Sequence, residues 1–288
     1  MVLHIPEQPN LSLMWLETLR QVDQAGGRVV NVLSSTSAPT VEDPGIRTVV
    51  DEWVYPGARP GLTLHSVDTV AGTIFPPSRY RSPGYAWSPD LADEQVRVLN
   101  ERAERLYTRH ITSLPTLMRF DGNSRGTYFS RMVKWPGRFA GDVNQLKERV
   151  DALRSKNRLG WSAANFNDIV VGGEADDPDY EELDDVRGLQ ILQPKDRRER
   201  GFPCLVHIDL TVLDGQLHML AVYRHQLLIT KGYGNILGLG RLQQFIAEQT
   251  GYTPGELAIQ ATLADAEYKG WGQGRVTALI EEATAAAT

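Results

Sequence analysis

The sequence predicts a mixed α/β or α+β fold in a single domain spanning residues 1–288, and three observations predict it. Segments with helical and strand-like patterning alternate along the whole length of 288 residues. No clear linker, internal repeat or low-complexity block divides them. A composition of 41% hydrophobic and 23% charged residues is that of a globular chain long enough to bury a sizeable core.

The elements follow in order. Leu13, Leu16, Leu19 and Val22 recur every third residue and mark one side of a helix over 11–24, which stops at Gly26-Gly27. RVVNVL (28–33) reads as a buried strand. Residues 34–95 are punctuated by Pro and Gly, with a strand-like piece from Leu62 to Phe75. Asp90 to His110 suits a charged amphipathic helix that starts near Pro89. A further helix is expected from Val143 to Lys156, where Leu146, Val150 and Leu153 share a face. The acidic run GGEADDPDYEELDDV (172–186) reads as a solvated surface loop. LVHIDLTVL and QLHMLAVYRH read as strands joined at Asp214-Gly215, a strong hairpin signal. Leu237 to Gln249 is an apolar-faced helix ending at Gly251, and the Ala-rich tail reads as frayed.

Charge and cysteine usage narrow the function. A net charge of −6 argues against wrapping a nucleic-acid backbone, which needs a broad basic face. A small anionic ligand needs only a few local arginines. One cysteine forms no intrachain disulfide, which fits a reducing compartment. Glu7 and two prolines interrupt the first residues, and no later run approaches a membrane span. The expectation is a soluble, cytoplasmic protein.

That cysteine, Cys204, sits in Gly-Phe-Pro-Cys directly before a strand. Pro203 fixes its own φ and restricts the residue before it, so the approach to the thiol is stiff. A lone cysteine is usually a small buried hydrophobe. A nucleophilic one needs neighbouring cations to favour the thiolate. Downstream, the anchors Asp214-Gly215, Leu217, Arg224 and Asn235 stand at fixed offsets from Pro203-Cys204, followed by an apolar helix and Thr-Gly-Tyr-Thr-Pro-Gly-Glu-Leu (250–257).

This arrangement resembles the catalytic half of thymidylate synthases and the related pyrimidine nucleotide hydroxymethylases, over about residues 190–260. Earlier, Trp15-Leu-Glu-Thr-Leu with the following double glycine resembles that family's opening helix. Tyr128-Phe-Ser-Arg131 and Asn144-Gln-Leu are similar to two further landmarks, whereas 34–115 match nothing.

The resemblance implies a thymidylate synthase-like mixed sheet flanked by helices, paired in a homodimer. It implies that Cys204 attacks C6 of a pyrimidine nucleotide monophosphate, so that C5 takes a one-carbon unit from 5,10-methylenetetrahydrofolate without a metal. By the same resemblance Arg224 binds the phosphate, His225 stands where the family has serine, and Asn235 reads the base edge. A second phosphate clamp, from the other subunit, falls to Arg187 or Arg158, and Tyr268 corresponds to a sugar contact.

Read without the resemblance, Arg224 is an exposed edge-strand arginine, Asn235 a turn residue, and Arg187 and Arg158 surface arginines. An amide suits a uracil N3–H/O4 edge because it donates and accepts together. Several positions depart from the family pattern. Leu227 replaces a pterin-contacting aspartate, Lys231 a glycine and Leu205 a histidine, and 264–268 read Ala-Asp-Ala-Glu-Tyr. No position corresponds to the family's glutamate near the general-base position, and Asp68 is one candidate for that role. Two functions follow: C5 methyl or hydroxymethyl transfer, or a catalytically decayed nucleotide-binding regulator or scaffold.

Overall fold

The computed structural model describes residues 2–136, 141–159, 189–190 and 203–288. The chain first forms β1 (Leu3–His4), α1 (Leu11–Gln24), β2 (Arg28–Thr36), α2 (Pro44–Val54), α3 (Val67–Ile74), α4 (Asp93–Leu117) and α5 (Tyr128–Val133). Next come the paired β3 (Trp135–Pro136) and β4 (Asp142–Val143), then α6 (Gln145–Leu159) and β5 (Leu189–Gln190). The second half adds β6 (Leu205–Leu213), β7 (Gln216–Tyr223), β8 (Gln226–Leu227), a π-helical turn (Leu228–Gly232) and α7 (Tyr233–Thr250). It closes with β9 (Thr253–Asp265), α8 (Tyr268–Trp271) and α9 (Gln273–Ala286).

Asp214 and Gly215 both take positive φ, 49° and 75°. That geometry matches the twist of a two-residue hairpin turn and joins β6 to β7, with Leu210 opposite Met219. The sheet order is β1-β2-β9-β7-β6-β5, with β8 alongside the end of β9. Pairing is mixed: β7 runs parallel to β9, while β2 and β6 run antiparallel to their neighbours β9 and β7. A mixed α/β architecture was legible in the sequence, and the structure has one.

Side chains alternate across the sheet. Ile208, Leu210, Leu217, Met219, Ala221, Leu257 and Ile259 are buried on the face that packs α1 and α7. The opposite face carries His207, Asp209, Leu220, Val222, Glu256 and Ala258, all only half-buried. Nearly every residue of α7 is buried, as expected of a core helix that is apolar all round. Its close contact with α3 depends on small residues. A Cβ at Gly234 would lie 2.8 Å from the Val67 carbonyl oxygen, and one at Gly238 would lie 2.7 Å from that of Ala71. The buried apolar residues form one cluster from Ile5 to Ala283. Each fully buried Leu or Phe in it contributes about 1.5–3 kcal/mol.

Several elements differ from expectation. Leu62–Phe75, read as strand-like, contains α3 instead. Ser66 caps it by accepting from the Thr69 amide, and Val67, Val70, Ala71 and Ile74 recur at helical spacing. The punctuated stretch before it holds α2, capped by Asp43 with Pro44 in its first turn. α4 begins at Asp93 and runs beyond His110 to Leu117, tolerating Pro115 near its end. β2 continues to Thr36, and α7 begins at Tyr233 rather than Leu237. β9, the strand between β2 and β7, has no counterpart among the expected elements. The acidic run 172–186 lies outside the described residues. No described helix is long and apolar enough to cross a membrane.

Candidate functional site

The mouth of the β6–β7 hairpin brings the two ends of its strands together, Leu205 opposite Tyr223. Cys204 and Arg224 flank that pair. The Arg224 amide donates to the Cys204 carbonyl at 2.8 Å. Its guanidinium donates to the Pro203 carbonyl from Nη2 at 3.0 Å and from Nε at 3.3 Å. Main chain and side chain of one residue therefore hold both members of the Pro-Cys pair. Cys204 is half-buried.

α5 covers the same point. Thr127 caps it by accepting from the Ser130 amide at 3.1 Å, which orients Tyr128. The Tyr128 hydroxyl accepts from the Cys204 amide at 3.3 Å and sits 3.5 Å from the Leu205 amide. Burial, reinforced by the neighbouring Cys204, pushes Tyr128 up to about 12, so it is a neutral hydroxyl at physiological pH. The Tyr223 hydroxyl is fully buried and has no hydrogen-bond partner among the described residues.

The thiol lies in competing fields. Burial pushes Cys204 up from its ordinary value, while Arg224 and Lys231 pull it down; burial prevails. Lys231 is itself pushed down by burial and drawn up by Glu267 and Cys204. It lies in the π-helical turn, whose first amides are held by Glu267. That carboxylate accepts from Ile229 N at 2.8 Å, Thr230 N at 2.7 Å and Thr230 Oγ1 at 2.7 Å. Burial still raises Glu267. His65 is pushed down, by burial first and by Lys231 second. Lys231 thus stands in the field of a thiol, a carboxylate and an imidazole.

Trp15 fixes the same turn from α1, donating from Nε1 to the Leu228 carbonyl at 2.7 Å. The run continues without a break into α7, so Lys231 and Asn235, four residues apart, share a side. Asn235 is 5% exposed.

The other expected residues fall elsewhere or are engaged. His225 Nε2 lies 3.5 Å from Asp265 Oδ2, without hydrogen-bonding geometry, at the end of β9. The Tyr268 hydroxyl donates to Asp23 Oδ1 at 2.5 Å. Its ring covers Gly27, where a Cβ would come within 2.4 Å of it, so the double glycine makes room for Tyr268. Arg158 is exposed at the end of α6, and Arg187 lies outside the described residues. Leu205 is buried, and Leu227 pairs with Asp265 in the β8–β9 ladder.

Asp68 does not suit a general base. Its carboxylate is more than half exposed and is held by Arg47 at 2.7 Å and Arg241 at 2.8 Å. The slight burial favours the acid, but the two guanidiniums outweigh it and keep Asp68 ionised. Sequence reasoning passed over Glu267, Tyr223 and His65. Glu267 stood in Ala-Asp-Ala-Glu-Tyr, where only the tyrosine matched a family pattern. Among the described residues, no group of three or more His, Cys, Asp or Glu is arranged to hold a metal ion.

The site therefore joins a restrained cysteine, two cations in its field and a buried asparagine. Compared with models of protein families and with curated proteins, the chain matches none.

Proposed function

We propose that the chain transfers a one-carbon unit to C5 of a uridine-type nucleotide monophosphate, through a covalent bond between Cys204 Sγ and C6. The observation that carries this reading is the double hold of Arg224 on Pro203 and Cys204, with Lys231 in the field of the same sulfur. A phosphate approaching these cations lowers the cost of bringing an anionic substrate to a buried thiol.

The chemistry follows from the residue types. Cys204 loses its proton, and the thiolate adds to C6; the electrons of the C5–C6 bond pass toward O4. C5 then bonds to the one-carbon electrophile and loses its own proton, and the carrier amine would leave to give an exocyclic methylene while the C6–S bond is still intact. Hydride from a reduced carrier would convert that methylene to methyl, and water would convert it to hydroxymethyl; in either case the C6–S bond then breaks, the thiolate leaves and C5=C6 is restored. Covalent addition divides one hard step into easier ones. Asn235 is the residue suited to the uracil edge, since its amide donates and accepts. Leu227 offers a pterin no hydrogen bond, so these residues do not match the usual folate contact. The donor is a one-carbon electrophile.

A thymidylate synthase-like fold and a homodimer belong to the same reading. The half-buried sheet face, with Leu220, Val222 and Ala258, suits a back-to-back pair that brings an arginine from the second copy to the phosphate. A second reading, a nucleotide-binding regulator without turnover, is favoured by one observation: burial leaves the Cys204 thiol above its ordinary value. Tritium release from C5-labelled uridine monophosphate in the presence of methylenetetrahydrofolate separates the two. Release by the parent chain and none by Cys204→Ser supports transfer. Nucleotide binding with no release from either favours the regulator.

A further inference from the structure

Away from the cysteine, α4 and the segment after α3 line a strongly basic cavity of about 400 Å³. Arg79, Arg81, Arg102, Arg105 and Arg109 line it, with Glu101 the one carboxylate among the described residues of its wall. Four charges of one sign remain on subtracting that glutamate, in a chain whose net charge is −6. Glu101 is already engaged by Arg97, which Glu94 also binds. Two of the guanidiniums are aimed by neutral acceptors, which orient them and leave their charge uncompensated. Arg79 donates to the Arg109 carbonyl and to Ser113 Oγ, both at 2.7 Å, and Arg102 donates to the Arg81 carbonyl at 2.8 Å. The side chains of Arg81, Arg105 and Arg109 have no hydrogen-bond or ion-pair partner among the described residues and are exposed.

We propose that this cavity is a binding site for a small polyanion bearing two or more linked phosphates, separate from the Cys204 site. Like charges gathered on one concave wall repel each other, and guanidinium forks match phosphate oxygens in pairs. A compact polyphosphate relieves that repulsion within the cavity. A long nucleic acid meets the acidic remainder of the surface beyond it. His110, beneath Arg79, adds no charge at neutral pH, because burial and Arg79 together hold it down at about 4. Glu104, on the neighbouring stretch of α4, is the other carboxylate near Arg105 and Arg109, and limits the site on that side.

The probe is inorganic tripolyphosphate, titrated calorimetrically into the whole protein at low and physiological salt. One saturable site is expected, weakened about tenfold or more by Arg105→Glu. Arg109→Gln serves as a second, milder variant if the first fails to fold. Arg224→Ala is expected to leave the affinity unchanged, so the cavity stands or falls independently of the proposed transfer reaction. Absence of saturable binding would overturn the proposal. So would equal affinity in folded Arg105→Glu and Arg109→Gln, loss of binding in Arg224→Ala, or tighter binding of a single-stranded 20-mer oligonucleotide than of tripolyphosphate.

Discussion

The amide of Arg224 donates to the carbonyl of Cys204 at 2.8 Å, while the guanidinium of the same arginine reaches back to the Pro203 carbonyl. One residue at the exit of β7 thereby sets the position of the thiol at the start of β6. It also contributes charge to the field around that thiol. The consequence is testable on the sulfur itself. Arg224 lowers the thiol pKa, so Arg224→Ala raises it, and the pH profile of Cys204 alkylation by iodoacetamide moves to higher pH. An unmoved profile means that the arginine does not act on the sulfur.

Lys231 acts in the same direction. Lys231→Met is expected to slow alkylation at pH 7 and to move its profile upward as well. Because Glu267 holds the turn through Ile229 and Thr230, the variant should keep the parent far-UV circular dichroism. A faster-reacting thiol in Lys231→Met would reverse the assignment of the field.

Tyr128 supports the cysteine through its hydroxyl. Tyr128→Phe leaves the Cys204 and Leu205 amides without that acceptor. The expected loss is about 1–3 kcal/mol of unfolding free energy in urea. A variant as stable as the parent contradicts the hydrogen bonds.

Gly234 lets α7 approach α3 beside Asn235. A Cβ there meets Val70 Cβ at 2.6 Å as well as the Val67 carbonyl. Gly234→Ala is expected to cost about 1–3 kcal/mol and to weaken nucleotide binding as Asn235 shifts. Calorimetric unfolding and nucleotide titration read the two effects separately.

Acid stability should carry the mark of His110, which is buried against Phe129 and hydrogen-bonded to Thr127. Its pKa falls from 6.5 to about 4 on folding. The folded state binds the proton less readily, so its contribution is complete above pH 6.5 and is lost as pH falls through about 4. His110→Gln is expected to flatten the decline of the melting temperature across that window. An unchanged slope contradicts the assignment.

How much of this was legible in the sequence depends on the range of the interaction. The Asp214-Gly215 turn, α1 and the Gly251 end of α7 are set by neighbouring residues, and they were readable. The site's position at the mouth of a hairpin followed from the offsets between Cys204 and Arg224. α3 was misread because a run rich in β-branched residues hid its helical spacing, and β9 because its long-range pairing with β2 and β7 leaves no local sign. Glu267, Tyr223 and His65 reach the site through the tertiary fold, so no spacing linked them to Cys204. Tyr268 matched a pattern, yet its hydroxyl is committed to Asp23.

The proposed transfer requires a bond between Cys204 and the pyrimidine ring. Intact-mass spectrometry of the protein incubated with 5-fluoro-2′-deoxyuridine monophosphate and methylenetetrahydrofolate tests it most directly. A stable mass increase equal to nucleotide plus folate is expected, mapped by digestion to the peptide containing Cys204 and absent from Cys204→Ser. Saturable binding of the nucleotide with the protein mass unchanged would contradict it.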